Sequence, residues 1–567
     1  MRTRQRGAAL ILFVTVLILG VAWYTVGALG KAPVATAERD AITGAALQKA
    51  KQALLGYLAA EAARTDHDKP GRLPCPESLA SIGTANEGQA ASNCSNVATT
   101  VGRLPWGTLG IDQLRDGYGE PLWLVISPGF RGVLPTTAIN FATPAQLTYN
   151  DVAANAVAVI IAPGRPLNTL ADPAALPAWC PAKVDQNSAT RNTAPLAAAN
   201  FIECGNATGS YRNPGSSQWS NDRALAITAA EWADAIAPGV ADRLQRQVAP
   251  AMQAYYDTTS LGSWGLRFLP NASTFTAAPP TTSTLCGAND TFSGMPPSAT
   301  VVAATCSTAW DSASVSGLGA LLSLGGCAPW PNFVSPTEIH CEFTAILGGL
   351  ATPRITVSAP RVGYSFRYID TSMIMIEVNG PALALPLLPP YPTASTGNYS
   401  GSVNAANGRG SFSFDVNFPA LSILESVRIR IPVPADALLA DARSAWFVNN
   451  GWDRFTYYAV SQAASHDPTG AVCTPGGTLT NCLTANGLPA STPANDKRLV
   501  LVLIGPRALT GQTQPSTTEA DYLEYQNGNV GTTTYETRTQ GADFNDRLAV
   551  CPFKYQDQSG ADVLVCS

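Results

Sequence analysis

The residues best equipped for defined chemistry are twelve cysteines and three histidines, and their spacing decides what that chemistry is. Zinc sites gather Cys and His at short intervals. No C-x-x-C occurs here, and His67, His340 and His466 stand far apart. The cysteines fall instead into neighbouring couples: Cys75/Cys94, Cys180/Cys204, Cys286/Cys306, Cys327/Cys341, Cys473/Cys482 and Cys551/Cys566. Each couple would close a short loop, which reads as a set of disulfides formed in an oxidising compartment. Spacing alone leaves the connectivity open, so these pairings are expectations.

Catalytic constellations are missing. A serine hydrolase needs a nucleophile elbow, G-x-S-x-G, and none is present. A histidine triad would require distant residues to meet. No catalytic residue and no enzymatic activity are therefore expected. Two acidic stretches could offer oxygen ligands to calcium. Asp112, Asp116 and Glu120 recur every four residues, and Asp521 and Glu524 lie near Asn527 and Asn529. Neither matches the EF-hand pattern, so a solvated turn is the plainer reading and no cofactor is expected beyond an open question about calcium. Two NDR triplets, Asn221-Asp222-Arg223 and Asn545-Asp546-Arg547, precede apolar runs. An Asx-turn held by an Asp–Arg pair is their expected use. Trp446, Phe447, Trp452, Phe455, Tyr457 and Tyr458 form an aromatic cluster assigned to core packing.

These residues must be positioned by a chain that is 46% hydrophobic and only 13% charged, with a net charge of -5. That balance carries no electrostatic footprint for nucleic acid. The N-terminus reads MRTRQRG, and residues 8–30 then contain no charged side chain. Residues 8–29 would extend roughly 33 Å as a helix, against a bilayer core of about 30 Å. The reading is a single-pass inner-membrane helix with the arginines cytoplasmic and the bulk periplasmic. A cleavable secretory signal would have an apolar region of only about 7–15 residues. Beyond it, residues 38–64 read as an amphipathic helix. Leu47, Ala50, Leu54, Tyr57 and Leu58 share one face, while Lys49, Lys51, Gln52 and Glu61 point elsewhere. Pro33 is expected to kink the join between the two helices.

A short basic leader ending in Gly7, an apolar segment and a continuing amphipathic helix together resemble a type IV pilin or a type II secretion pseudopilin. The resemblance implies cleavage by a prepilin peptidase after Gly7 and N-methylation of Ala8. It also implies other pilins or pseudopilins as partners. Most members of that family carry glutamate at the fifth mature position, which here is Leu12. That departure favours a tip or initiating subunit, whose helix has no neighbour above it to neutralise. The family fold is a long N-terminal helix packed on an antiparallel sheet.

The exported part carries recurring strings. GRLPCP at 71–76 and GRLPW at 102–106 come first, followed by apolar runs at 117–127 and 155–167 and by NDRALAIT at 221–228. A helical stretch is expected over 229–256. Near the C-terminus, 451–461 aligns with 117–127, 499–509 with 157–167 (matching Arg165 to Arg507), and 545–550 with 221–227. Three matches in one order read as a duplicated β-rich unit. Between the copies, period-two runs at 355–358, 364–369, 373–378, 411–418 and 427–431 read as antiparallel strands, and 434–445 as a helix. The strings also resemble a group of large pilin-like proteins of Gram-negative bacteria.

The resulting expectation is an α+β chain in five parts. These are a leader at 1–7, a transmembrane helix at 8–29, a pilin-like domain at 30–260, an inserted disulfide-containing β-rich region at 261–440, and a second β-rich unit at 441–567. The function expected is that of a non-enzymatic minor pilin or pseudopilin. The alternative is a membrane-anchored periplasmic binding protein or enzyme whose helix is only an anchor.

Overall fold

The computed structural model describes residues 5–94, 100–131, 138–166, 198–202, 210–212, 221–257, 292–296, 442–462, 482–488, 494–506, 518–529 and 531–552, with positions 269, 272 and 512 and the backbone of strands between 312 and 432. The chain divides into two compact units. One comprises residues 1–62 and 70–236, the other 63–69 and 237–567.

The first unit begins with helix α1, Gln5–Ala63. Ala and Leu dominate its second half, and both favour the helix. Thr43, Leu47, Ala50, Leu54, Leu58 and Ala62 are buried there at steps of three and four, with Ala46 buried beside them, which places them on one stripe. Tyr57 is half-buried. Glu61, expected to face away, is itself buried, with Oε2 3.4 Å from Nε of Arg72. The helix also runs through Pro33 without a break. A proline removes one helical hydrogen bond, and the long runs on both sides sustain the rest.

One part of the expected fold is overturned. Among the described residues no helix is long and apolar enough to cross a membrane. The architecture is α+β with antiparallel sheets, without the transmembrane helix placed at 8–29.

Six strands form the sheet of this unit: β1 (Val101–Arg103), β2 (Trp123–Ile126), β3 (Leu147–Tyr149), β4 (Val152–Ala162), β5 (Ser210–Tyr211) and β6 (Arg223–Thr228). The order is β1-β2-β4-β3-β5, and β6 also pairs with β4. All four residues of β2 are buried, as is the apolar run from Ala156 to Ala162, which is why these strands read as unbroken apolar stretches and not as alternation. β3 and β4 join through Asn150 and Asp151, both at positive φ (48° and 66°), the pattern of a two-residue type I′ hairpin. Trp123, Val125, Val159, Ile161, Phe201, Tyr211, Ala224 and Ala226 form one core cluster. Helix α1 is fixed to the sheet by the turn before β2. The Gly117 amide donates to Thr43 Oγ1 (3.0 Å), and a Cβ at Gly117 would lie 2.3 Å from the Arg39 carbonyl oxygen, so only glycine fits. Lys51 adds an ion pair to Glu231 (2.6 Å) and a hydrogen bond to the Ala226 carbonyl (2.9 Å).

Helix α2, Ala229–Arg243, passes into a π-turn at Leu244–Val248 and then into α3, Ala249–Asp257. The second unit then builds β7 (Ser293–Gly294), β8 (Ser312–Ser316), β9 (Ser323–Trp330), β10 (Glu338–Ala345), β11 (Arg354–Ala359), β12 (Met375–Asn379), β13 (Tyr399–Asn404), β14 (Arg409–Asp415) and β15 (Glu425–Pro432). Eight of these make two antiparallel sheets, β12-β15-β10-β9 and β13-β14-β11-β8. The expected run at 364–369 and most of the helix expected at 434–445 lie outside the described residues. What is described there is a 3-10 turn at Ala442–Ser444 and helix α4 at Ala445–Asn449.

The last strands are β16 (Thr456–Val460), β17 (Thr484–Asn486), β18 (Lys497–Leu503), β19 (Thr534–Glu536) and β20 (Arg547–Pro552). They give a sheet ordered β20-β18-β16-β7 and a parallel pair, β17 with β19. Strands β16, β18 and β20 repeat the pairing of β2, β4 and β6. Trp123 faces Ile161, which faces Ala224; Tyr457 faces Val502, which faces Leu548. This register makes Ile161 equivalent to Val502 and Gly164 to Gly505, one residue away from the alignment through Arg165 and Arg507. Side chains alternate faces along a strand, so a one-residue slip would have turned the apolar set outward. Val500, Val502 and Ile504 join Tyr457, Ala459 and Val550 in the core of this sheet.

Candidate functional site

Gly7, Ala8 and Leu12 lie within α1, and their side chains are outside the described residues. Immediately beyond them the helix carries exposed apolar side chains on every side. Phe13, Val14, Val16, Leu17, Ile18, Leu19 and Val21 are 47% to 63% exposed, and Trp23 is 85% exposed. Isolated exposed hydrophobics are ordinary, but eight in one helical stretch form a patch of the kind that marks an interaction surface. The second half of the same helix is buried on the sheet. One element therefore combines a second half seated on the sheet with a stretch of exposed apolar side chains between Phe13 and Trp23.

Cys75 and Cys94 form a disulfide, with Cα atoms 5.7 Å apart, and Arg131 Nη1 donates to the Cys94 carbonyl (2.6 Å). Cys482 and Cys551 are disulfide-bonded too. No cysteine among the described residues is free. The backbone register of β9 and β10 sets Cys327 opposite Cys341. Cys180, Cys204, Cys286, Cys306, Cys473 and Cys566 lie outside the described residues, as does His466. His67 stands 3.7 Å from Asp66 beyond the end of α1, and His340 lies in β10.

The acidic stretches are occupied by backbone. Asp116 Oδ1 accepts the amides of Tyr118 and Glu120, and its Oδ2 accepts the Gly164 amide at 2.7 Å. Those bonds fix a turn and use both oxygens. Among the described residues no group of three or more His, Cys, Asp or Glu side chains could hold a metal ion.

At the second NDR triplet the structure brings together residues that sequence reasoning kept apart. Glu524 Oε2 accepts the amides of Asn545 (3.0 Å) and Asp546 (3.1 Å), while Asp546 Oδ2 accepts the Glu524 amide (3.0 Å) and Asn527 Nδ2 (3.1 Å). Each carboxylate thus holds the other's backbone, and the loop is fastened to the start of β20. Burial, and then the charge of Glu524, push the Asp546 carboxyl well above the ordinary aspartate range. The triplet was visible in the sequence, but its partner 22 residues earlier carried no spacing signal. Gln245 is another such residue. Its side-chain amide donates to the Val550 carbonyl (2.9 Å) and accepts the Val550 amide (2.7 Å), clamping strand β20. Arg243 is buried with its guanidinium 4.0 Å from the centre of the Trp446 ring, a cation–π contact, and burial lowers its pKa to about 10.

The acid pair has a measurable consequence. The folded chain retains the Asp546 proton above the pH, about 4, at which an unfolded chain releases it. Stability contributed by this proton is full below about pH 4 and is lost as pH rises. Asp546→Asn cannot ionise, so its melting temperature should gain on that of the unaltered protein between pH 4 and pH 7. Thermal melts of the two proteins that run parallel across that range would contradict the assignment.

Comparison with protein-family models, with curated proteins and with solved structures returned no match.

Proposed function

We propose that the protein is a non-enzymatic minor pilin or pseudopilin, placed at or near the tip of a type IV pilus or type II secretion-like filament. The observation that carries the reading is the division of α1. Its second half is buried on an antiparallel sheet, and its first half presents eight exposed apolar side chains. Covering those side chains with apolar surface would release on the order of 10 kcal/mol. The partner proposed is the helix bundle made by neighbouring pilins or pseudopilins. Leu12 supports an end position, since an unpaired carboxylate in an apolar bundle is costly and a terminal subunit has no amine above it to neutralise. The size of the two units supports it too, because a bulky head is accommodated more easily at an end than along a packed shaft. The disulfides support a location outside the cytoplasm.

A photo-crosslinking residue in place of Leu17 tests this. The expected product, in cells making the filament, is a covalent adduct with a smaller pilin-like subunit. No such adduct, with the protein present at its usual level, would contradict the proposal.

A further inference from the structure

The 3-10 turn Tyr525–Gly528 is held against the edge of β19 by one fully buried side chain, Asn527. Its Oδ1 accepts the Glu536 amide (2.9 Å), and its Nδ2 donates to the Glu536 carbonyl (3.1 Å). Asn527 thereby satisfies backbone groups that a further strand would otherwise pair. The same Nδ2 also donates to Asp546 Oδ2 (3.1 Å). The cover over β19 and the acid pair Glu524–Asp546 therefore share a residue.

Both acids are buried, and two carboxylates in one dry space do not both ionise cheaply. Asp546 is met by the Glu524 and Gly505 amides and by Asn527, which are neutral donors. Glu524 is met by the Asn545 and Asp546 amides and by Gln512 Nε2 (3.0 Å). The charged groups on the surrounding elements have their own contacts. Glu536 of β19 accepts the Gln526 amide (3.1 Å) and pairs with Arg538 (3.0 Å). Asp543 accepts the Tyr525 hydroxyl (2.9 Å), and Glu519 accepts that of Tyr457 in β16 (3.1 Å). Asp521 lies earlier on the same loop, and Arg547 is the first residue of β20. The turn is also strained. Tyr525 has φ +49°, which a bulky residue rarely adopts. Residues of this kind persist where their surroundings hold them, and they gather at switch segments.

We propose that the turn is a proton-operated latch, closed on β19 while Asp546 is protonated and lifted when that proton is lost, which uncovers the backbone of Glu536. Loss of the proton sets a second negative charge beside Glu524 in a buried space. Lifting the turn lets water reach both carboxylates and frees Tyr525 from its strained backbone. Leu523 is packed in the core of the sheet, so the movement begins beyond it. The closed latch holds one proton more than the open one at every pH between about 4 and the raised value of Asp546. Its opening constant therefore grows about tenfold per pH unit across that range. The latch is independent of the filament reading, since it rests on the second unit alone.

The test is amide hydrogen exchange of the full chain, read by mass spectrometry at about pH 5, 6 and 7 and divided by the intrinsic rates of an unstructured chain. Peptides carrying Glu524–Gly528 and Glu536 should open about tenfold more with each pH unit. At pH 7 they should open at least about a hundredfold more than those of β18, whose amides are freed only with the whole sheet. Asp546→Asn keeps an oxygen for the Glu524 amide and Asn527 but cannot ionise, so its opening should not change with pH. Equal opening of the turn in the unaltered chain at pH 5 and pH 7 would overturn the inference. So would turn and β18 peptides that open together, or the same rise with pH in Asp546→Asn.

Discussion

Trp232→Ala is expected to destabilise the first unit by about 4 kcal/mol, the range found when a buried tryptophan or phenylalanine is truncated. Trp232 is 1% exposed. Its ring meets Phe130 edge-on at 4.8 Å and Phe141 at 6.4 Å, and its indole N–H donates to the Gly71 carbonyl at 2.8 Å. Truncation removes the ring contacts, leaves a cavity and strands the Gly71 carbonyl. The space cannot collapse readily, because Gly71 sits at φ +88° with its backbone already against the ring. Trp232→Phe should recover most of the packing and lose only the hydrogen bond, at about 1 kcal/mol. Denaturant unfolding followed in the first unit measures both. A loss below about 1 kcal/mol for Trp232→Ala would show that this residue does not hold the unit together.

Removing the Cys75–Cys94 disulfide is expected to cost about 3 kcal/mol, as the chain-entropy estimate gives for a sequence separation of 19. The loop it closes contains Glu77 and the turn carrying Gly88, whose amide donates to Glu77 Oε1 at 2.8 Å, so the effect should extend to the packing of that turn. Replacing both cysteines by alanine avoids leaving a reactive thiol. The double variant should unfold at lower denaturant concentration and expose the 75–94 loop to protease, while the unaltered protein should show the same change only in the presence of reductant. Identical unfolding of the double variant and the oxidised protein would show that the disulfide contributes nothing.

The sequence made some elements legible and concealed others for identifiable reasons. The buried stripe of α1 was readable because Leu47, Ala50, Leu54 and Leu58 recur at helical spacing, and the helix termination near residue 64 because DHDKPG follows. Glu61 was misread, since periodicity locates a face but does not reveal that Arg72 returns to pair with a charge there. The strands β2, β4 and β18 were visible as apolar runs. The register between the two similar sheets was not, because matching Arg165 to Arg507 slips the alignment by the one residue that Gly164 and Gly505 restore. The transmembrane reading at 8–29 rested on the length of an uncharged run in the sequence, whereas among the described residues no helix is long and apolar enough to cross a membrane. The packing of Glu77 on Gly102 was half legible: the repeated GRLP string stood out, but the close approach of the Glu77 carbonyl to Gly102 is visible only in the structure.

In the proposed pilin or pseudopilin, residues 1–7 are a leader and Ala8 is the first residue of the mature subunit. The most direct test of that processing is mass spectrometry of the N-terminus after co-expression with an active prepilin peptidase. The expected result is loss of residues 1–7 and a methylated Ala8, with Gly7→Val left uncut. An intact Met1 on the unaltered chain, under conditions in which a control prepilin is cleaved, would contradict it.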